Sequence, residues 1–216
     1  MKRNKEETIM KIVEYRGIRK LVGALLTEDS DSTLTYGSVF PIAGTSKLSK
    51  TVESSIDTKH YDNVPAIVLD GVGPDTITID TSAIPYDVQA KITGQYYDEG
   101  TGMLVEGTGS RPYVAIGYIT EDTDGNEVWV WRLKGKFSLP SEEHATKDNS
   151  TTSNGQQLTY TGINTTHEFT ALANEETKNA KGIILETSKE LTTLTETSFF
   201  AGVQDPDKVV AAKKVV

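Results

Sequence analysis

Residues 112–140, "PYVAIGYITEDTDGNEVWVWRLKGKFSLP", constrain the fold more than any other stretch of this chain. Two runs rich in β-branched and aromatic residues flank "EDTDGNE", where Asp124-Gly125 is a strong turn signal, so the segment is predicted to be an antiparallel hairpin. In its second strand, Trp129, Trp131, Leu133 and Phe137 are expected on one face. Val128, Val130, Arg132, Lys134 and Lys136 are expected on the other. The first strand is apolar on both faces, with Val114, Ile116 and Tyr118 on one and Tyr113, Ala115 and Ile119 on the other. Such a strand has to be covered from both sides. The cover is either a helix of the same chain or a neighbouring subunit.

The rest of the chain is mostly β with one helix. "IRKLVGALLTED" (18–29) reads as a first strand, followed by the acidic turn "EDSDS" and a short apolar piece broken by Gly37, Pro41 and Gly44. "TSKLSKTVESSIDTKHYDN" (45–63) is polar with weak alternation, an extended hairpin arm or a long loop. "DTITIDT" alternates cleanly, Ile77 and Ile79 against Thr76, Thr78 and Asp80. Ile84, Val88 and Ile92 recur at helical spacing, with Pro85 suited to a first turn and Gly94 to a C-terminal cap. That predicts a helix over 84–93. "QQLTYTG" (156–162) reads as another strand, and "NEETKNAKGIILETS" is ambiguous. Core positions are Ile77, Ile79, Val88, Ile92, Ile116, Trp129, Trp131, Leu133 and Phe137. The expected organisation is an N-terminal arm (1–14), a β domain (15–170) and a C-terminal segment (171–216) that completes the domain or contacts neighbours. Between Phe137 and Gly162 lies a long polar connection too poor in apolar residues to pack on itself. Such loops are usually functional or disordered.

Composition narrows the chemistry. The chain has 216 residues, 36% hydrophobic and 25% charged, within the globular range. Its net charge of -9 and the pI near 4.9 argue against nucleic acid as the main partner, because phosphate binding wants clustered Lys and Arg. No apolar run approaches a membrane span, and "MKRNKEETIM" has no signal-peptide character; Met10 is an alternative start. With no cysteine, disulfides, zinc–thiolate sites and cysteine nucleophiles are excluded. His60, His144 and His167 lack partners at zinc-ligand spacing. "SEEHAT" reads as solvated loop, and "DTDGNE" is a hairpin turn rather than a calcium loop, being too short and without the late bidentate Glu. The glycines of "GTGMLVEGTG" lack the spacing and the βαβ context of a dinucleotide fingerprint, and no nucleophile elbow or P-loop occurs. No catalytic site, cofactor or metal is expected. What stands out is the long polar segments, an arm at each end and the two-sided apolar strand, features of an assembly subunit.

The order of several pieces resembles a known family. "GIRKLVGALLTED" with "LTYG" (17–37), "KHYDN" (59–63), "IPYDVQAKITGQYYDEGTGMLVEG" (84–107), "PYVAIGY" (112–118), "KGKFSLPSEEHATKDNSTTSNGQQLTYTG" (134–162) and "TETSFFAGV" (195–203) together resemble the major tail proteins, or tail tube proteins, of long-tailed (siphovirus) phages of the phi13 type. Phe199 stands where that pattern has a Trp, and the arm "MKRNKEETIMK" departs from it. The resemblance implies a β-sandwich or half-barrel flanked by a helix, with long extended loops and terminal arms. It implies hexameric rings stacked into a virion tail tube that is assembled in the host cytoplasm and conducts the genome without specific DNA binding or membrane contact. It also implies a tape-measure protein, a tail terminator and tail chaperones as partners. Contacts between copies are then expected at Thr45, Lys47, Leu48, Lys50, Val52 and Ile56, at Glu142, Glu143, His144 and Lys147, and at Phe199, Phe200 and Val203. The acidic excess is expected to repel DNA phosphates from the lumen.

Two other classes compete. A carbohydrate-binding β-sandwich module or adhesin would use Trp129, Trp131 and the tyrosines as a sugar-stacking platform, and usually carries an export signal. A small hydrolase would need a catalytic constellation, which the chain lacks. Tubes or rings in negative stain separate the first reading from a monomer that binds glycans.

Overall fold

The computed structural model describes residues 12–61, 64–107, 109–144, 154–170 and 178–212. The N-terminal half runs β1 (Tyr15–Asp29), β2 (Leu34–Tyr36), β3 (Phe40–Pro41), β4 (Thr45–Tyr61), β5 (Val64–Thr81), α1 (Tyr86–Thr93), β6 (Tyr96–Asp98) and β7 (Met103–Val105). Then come β8 (Val114–Asp122), β9 (Glu127–Phe137), β10 (Ser141–Glu142), β11 (Gln156–Gly162), β12 (Gly182–Glu186) and the short helix α2 (Glu196–Phe199). The fold is mainly β. One antiparallel sheet has the order β2-β1-β8-β9-β11-β5-β4, with β3 on β1, β10 on β11 and β12 on β9. β4 returns towards β1, so the sheet curls into a half-barrel. β6 and β7 form a separate small hairpin.

Curling gives the sheet two apolar faces, and each has its own core. The concave face gathers Leu21, Ile77, Ile79, Ile116, Leu158 and Tyr160, and α1 adds Val88 and Ile92. The convex face gathers Ala115, Ile119, Trp129, Trp131 and Leu133 under Phe169, Phe199 and Phe200. β8 feeds both, which explains its two apolar faces. The chain itself supplies both covers: α1 and the curled sheet on one side, the C-terminal segment on the other. A neighbouring subunit is therefore not needed to bury β8.

Three sequence expectations are corrected. First, Phe137 does not share a face with Trp129, Trp131 and Leu133. Val114 pairs with Gly135 and Ile116 with Arg132, so two steps on β8 match three on β9. That β-bulge inserts one residue and inverts the side-chain parity beyond it. Phe137 is turned into the concave core, 5.2 Å from the ring of Tyr160, and Lys134 and Lys136 lie over Tyr113 instead of opposite the tryptophans. Second, the helix starts at Tyr86 and not at residue 84, because Pro85 has an extended ψ of 137°. Gly94 ends it at φ 76°, its N–H donating to the carbonyl of Ala90. Third, the first strand begins at Tyr15; bulges at Gly17 (φ 70°) and Lys20 (φ 62°) keep it paired with β8. Of the two readings of residues 45–61, extended hairpin arm or long loop, the hairpin arm is the one found, since β4 pairs antiparallel with β5, and "GIILE" of the ambiguous stretch is β12, paired with the outer edge of β9.

Candidate assembly surfaces

Among the described residues, β4 and β5 extend past the part of the sheet that β11 joins. They pair with each other along their whole lengths, but β5 is held by β11 only from Asp75 to Thr81. Residues 64–74 and their partners on β4 therefore form a two-stranded ribbon, roughly 35 Å long at strand rise. Of the residues expected to contact other copies, Leu48 is half-buried against the concave core and Thr45 is half-buried at the start of β4, opposite Thr81. Lys47, Lys50 and Val52 are exposed. Ile56 lies on the ribbon opposite Asp70.

The polar connection after β9 is anchored at its base. Ser141 and Glu142 pair with Gln157 and Gln156. The Glu142 carboxylate accepts a hydrogen bond from Gln156 and lies 3.2 Å from Nε2 of His144. Glu143 is exposed, and its carbonyl accepts from Asn154 at 3.3 Å. Lys147 lies outside the described residues.

The C-terminal aromatic pair is inside the chain. Phe199 is 1% exposed and Phe200 5%, with Trp129–Phe199 centroids 5.4 Å apart and Trp131–Phe200 centroids 5.7 Å apart. Trp131 Nε1 donates to the carbonyl of Phe199 at 3.1 Å. Val203 is half-buried beside them. Expected at contacts between copies, Phe199 and Phe200 instead seal the convex core, because the two large indoles of β9 need a cover of matching size. The tryptophans are thereby withdrawn from any sugar-stacking platform. A capping box between Thr195 and Ser198 starts α2, and Glu196 is gripped by Arg19 and Lys20, each at 2.8 Å. Hydrogen bonds from Arg19 and then Lys20 hold the Glu196 carboxyl down at about 2, far below the usual 4.5.

Two further features stand out, and the first had no signal in the linear sequence. At the root of the ribbon, buried Asp75 is shared by Lys181 at 3.0 Å, Lys50 at 3.6 Å and Arg132 at 3.7 Å; Lys181 also donates to the carbonyl of Gly73. Beside this cluster, between β1 and β4, opens a cavity of about 550 Å³. Its charged lining residues are Arg16, Lys47, Lys50 and Arg132, with Tyr118 and Val130 among its apolar walls. The second feature is the β6–β7 hairpin, which leaves Tyr96, Met103 and Val105 exposed. The charge cluster arises from residues that only curling and strand pairing bring together, whereas the hairpin is local and its turn is built by Asp98, Gly100 and Thr101.

Elsewhere the candidate chemistry is absorbed by structure. Asp122 accepts from the amides of Asp124 and Asn126 and so builds its own turn. Among the described residues no group of three or more His, Asp or Glu converges as a metal site. In comparisons with known proteins, a family model described as phage tail tube protein matches residues 29–196, from the end of β1 to the start of α2. No curated protein matches the chain.

Proposed function

Because this chain belongs to the phage tail tube protein family, and is thus a structural protein of the virion tail, we propose that its copies close into hexameric rings and stack into the tube through which the genome enters the host. The observation that carries this reading is the β4–β5 ribbon. A two-stranded ribbon is marginal in water by itself, yet this one carries Val52 and Val64 exposed. A second copy of the chain supplies the missing cover. Repeating one heterologous contact closes a ring, and joining sheets around it removes open edges such as β12.

In this reading the chain carries out no catalysis. The polar stretch "SEEHATKDNSTTSNG" (141–155), of which 145–153 lie outside the described residues, crosses a neighbouring subunit or ring, assembly proceeds in the host cytoplasm, and a tape-measure protein, a terminator and chaperones set the tube's length and ends. DNA passes without a specific site, because a lumen wall sharing the net charge of -9 repels phosphate. Electron microscopy of the concentrated protein tests the proposal. Hollow tubes or six-fold rings are expected; a protein that stays monomeric at every concentration overturns it.

A further inference from the structure

The cavity between β1 and β4 is unusual for an acidic chain. Arg16, Lys47, Lys50 and Arg132 line it, and no carboxylate stands among the lining residues. Arg16 is matched by Glu121 at 3.1 Å. Among the described residues, Lys50 and Arg132 share the carboxylate of Asp75 with Lys181, so the described cluster carries more positive than negative charge. Arg132 is 8% exposed, and its Nε is buried without a hydrogen-bond partner. Half-buried surplus charge of this kind calls for an outside anion. The walls add a second demand, because Leu48, Tyr118, Val128, Val130 and Ile184 make them apolar.

The β6–β7 hairpin has the opposite character. Tyr96 pairs with Val105 and Asp98 with Met103, so these four share one face. Tyr96, Met103 and Val105 on that face are exposed. Glu99 and Glu106 flank it and are exposed. Asp98 is occupied with its own turn, accepting from Gly100 and Thr101.

Cavity and hairpin also sit at opposite ends of the half-barrel. The cavity is lined by Tyr118 and Thr120 of β8 and by Val128 and Val130 of β9, next to the turn that joins these strands. The hairpin's base is at the other end: Gly94 packs against Ser110 and Pro112, just before β8 begins, and α1 borders Leu139 and Pro140, just after β9 ends.

We propose that the acidic, apolar β6–β7 hairpin of one copy docks into the cationic, apolar cavity between β1 and β4 of the next copy along the tube. Glu99 and Glu106 neutralise Lys47, Lys50 and Arg132, while Tyr96, Met103 and Val105 cover the apolar walls. The inference rests on the tail tube reading and adds to it the pair of surfaces that stacks one ring on another. A heterologous contact between opposite ends of a subunit, repeated without the rotation that closes a ring, propagates along an axis.

The test is a charge exchange at exposed positions. Lys47→Glu alone, and Glu99→Lys with Glu106→Lys, are each expected to raise the concentration needed for polymer formation at least about tenfold, read by sedimentation. The variant carrying all three changes is expected to recover most of that loss. Tyr96→Ser is expected to weaken assembly without any change of charge. Thermal midpoints equal to that of the parent show that the variants fold. If folded variants polymerise like the parent, or the combined variant fails to recover, the inference falls while the tube reading stands. If Lys47→Glu leaves assembly unchanged and instead reduces duplex DNA retention on filters, the cavity serves phosphate and the inference is likewise overturned. If the parent forms no polymer at all, it is the tube reading that fails.

Discussion

Gly135 shows how one residue decides which core a strand serves. It sits at the β9 bulge, where a Cβ would come within 2.3 Å of the Tyr160 ring and 2.5 Å of the Thr161 carbonyl oxygen. Gly135→Ala is expected to destabilise the fold by about 1–3 kcal/mol through forced shifts, measured as a fall in the denaturant midpoint. Tyr160 itself is fully buried, and burial pushes its hydroxyl well above the usual value. Its O–H donates to the carbonyl of Val114 at 2.9 Å. Tyr160→Phe removes that buried hydrogen bond and is expected to cost about 0.5–1.5 kcal/mol. Glu196 gives a pH signature. Its folded-state value of about 2 lies below the ordinary 4.5, so its contribution is complete above pH 4.5 and disappears as pH falls towards 2. Glu196→Gln is expected to lower stability at neutral pH and to flatten the acid decline in that window, read by thermal melts across pH. These residues were partly legible. Tyr160 stood in a clean alternation, but nothing near Gly135 in sequence announces a bulge, because the bulge is defined by its pairing with β8.

Among the elements, the C-terminal segment was the hardest to read. α2 spans Glu196–Phe199 and is too short to show a period. What makes it an element is its contact with β9: Phe199 and Phe200 over Trp129 and Trp131, and Glu196 on Arg19 and Lys20. Phe199→Ala is expected to cost about 3–5 kcal/mol, as for other large core truncations, with tryptophan fluorescence reporting the loosened cover. The β4–β5 ribbon predicts a different response. Replacing residues 53–73 by a tight turn is expected to leave the thermal midpoint of the body near that of the parent, since the core residues described on β4 and β5 are Leu48, Ile77 and Ile79, while abolishing assembly. A large fall in the midpoint would mean that the ribbon stabilises the body instead. α1, by contrast, was visible beforehand, because Ile84, Val88 and Ile92 mark a helical face and Gly94 a stop.

For the molecule as a whole, charge is the property most open to measurement. A tube whose wall shares the net charge of -9 is expected to show no retention of duplex DNA at micromolar protein and about 0.1 M salt, conditions in which basic proteins bind non-specifically. Retention that falls steeply with salt would reveal a basic inner wall.

The sequence by itself determined whatever local chemistry dictates. Alternation made the chain mainly β, Asp124-Gly125 made the central hairpin, Pro85 and Gly94 bracketed the helix, and the order of short motifs pointed to tail tube proteins. Tertiary structure alone decided which core received Phe137, that the chain covers both faces of β8, and that Lys50, Arg132 and Lys181 converge on Asp75. The reason is range. Turns and periodicity act over a few residues and are written in sequence, whereas curling, bulge register and charge clusters depend on strands far apart in the chain that meet only when the sheet folds round on itself.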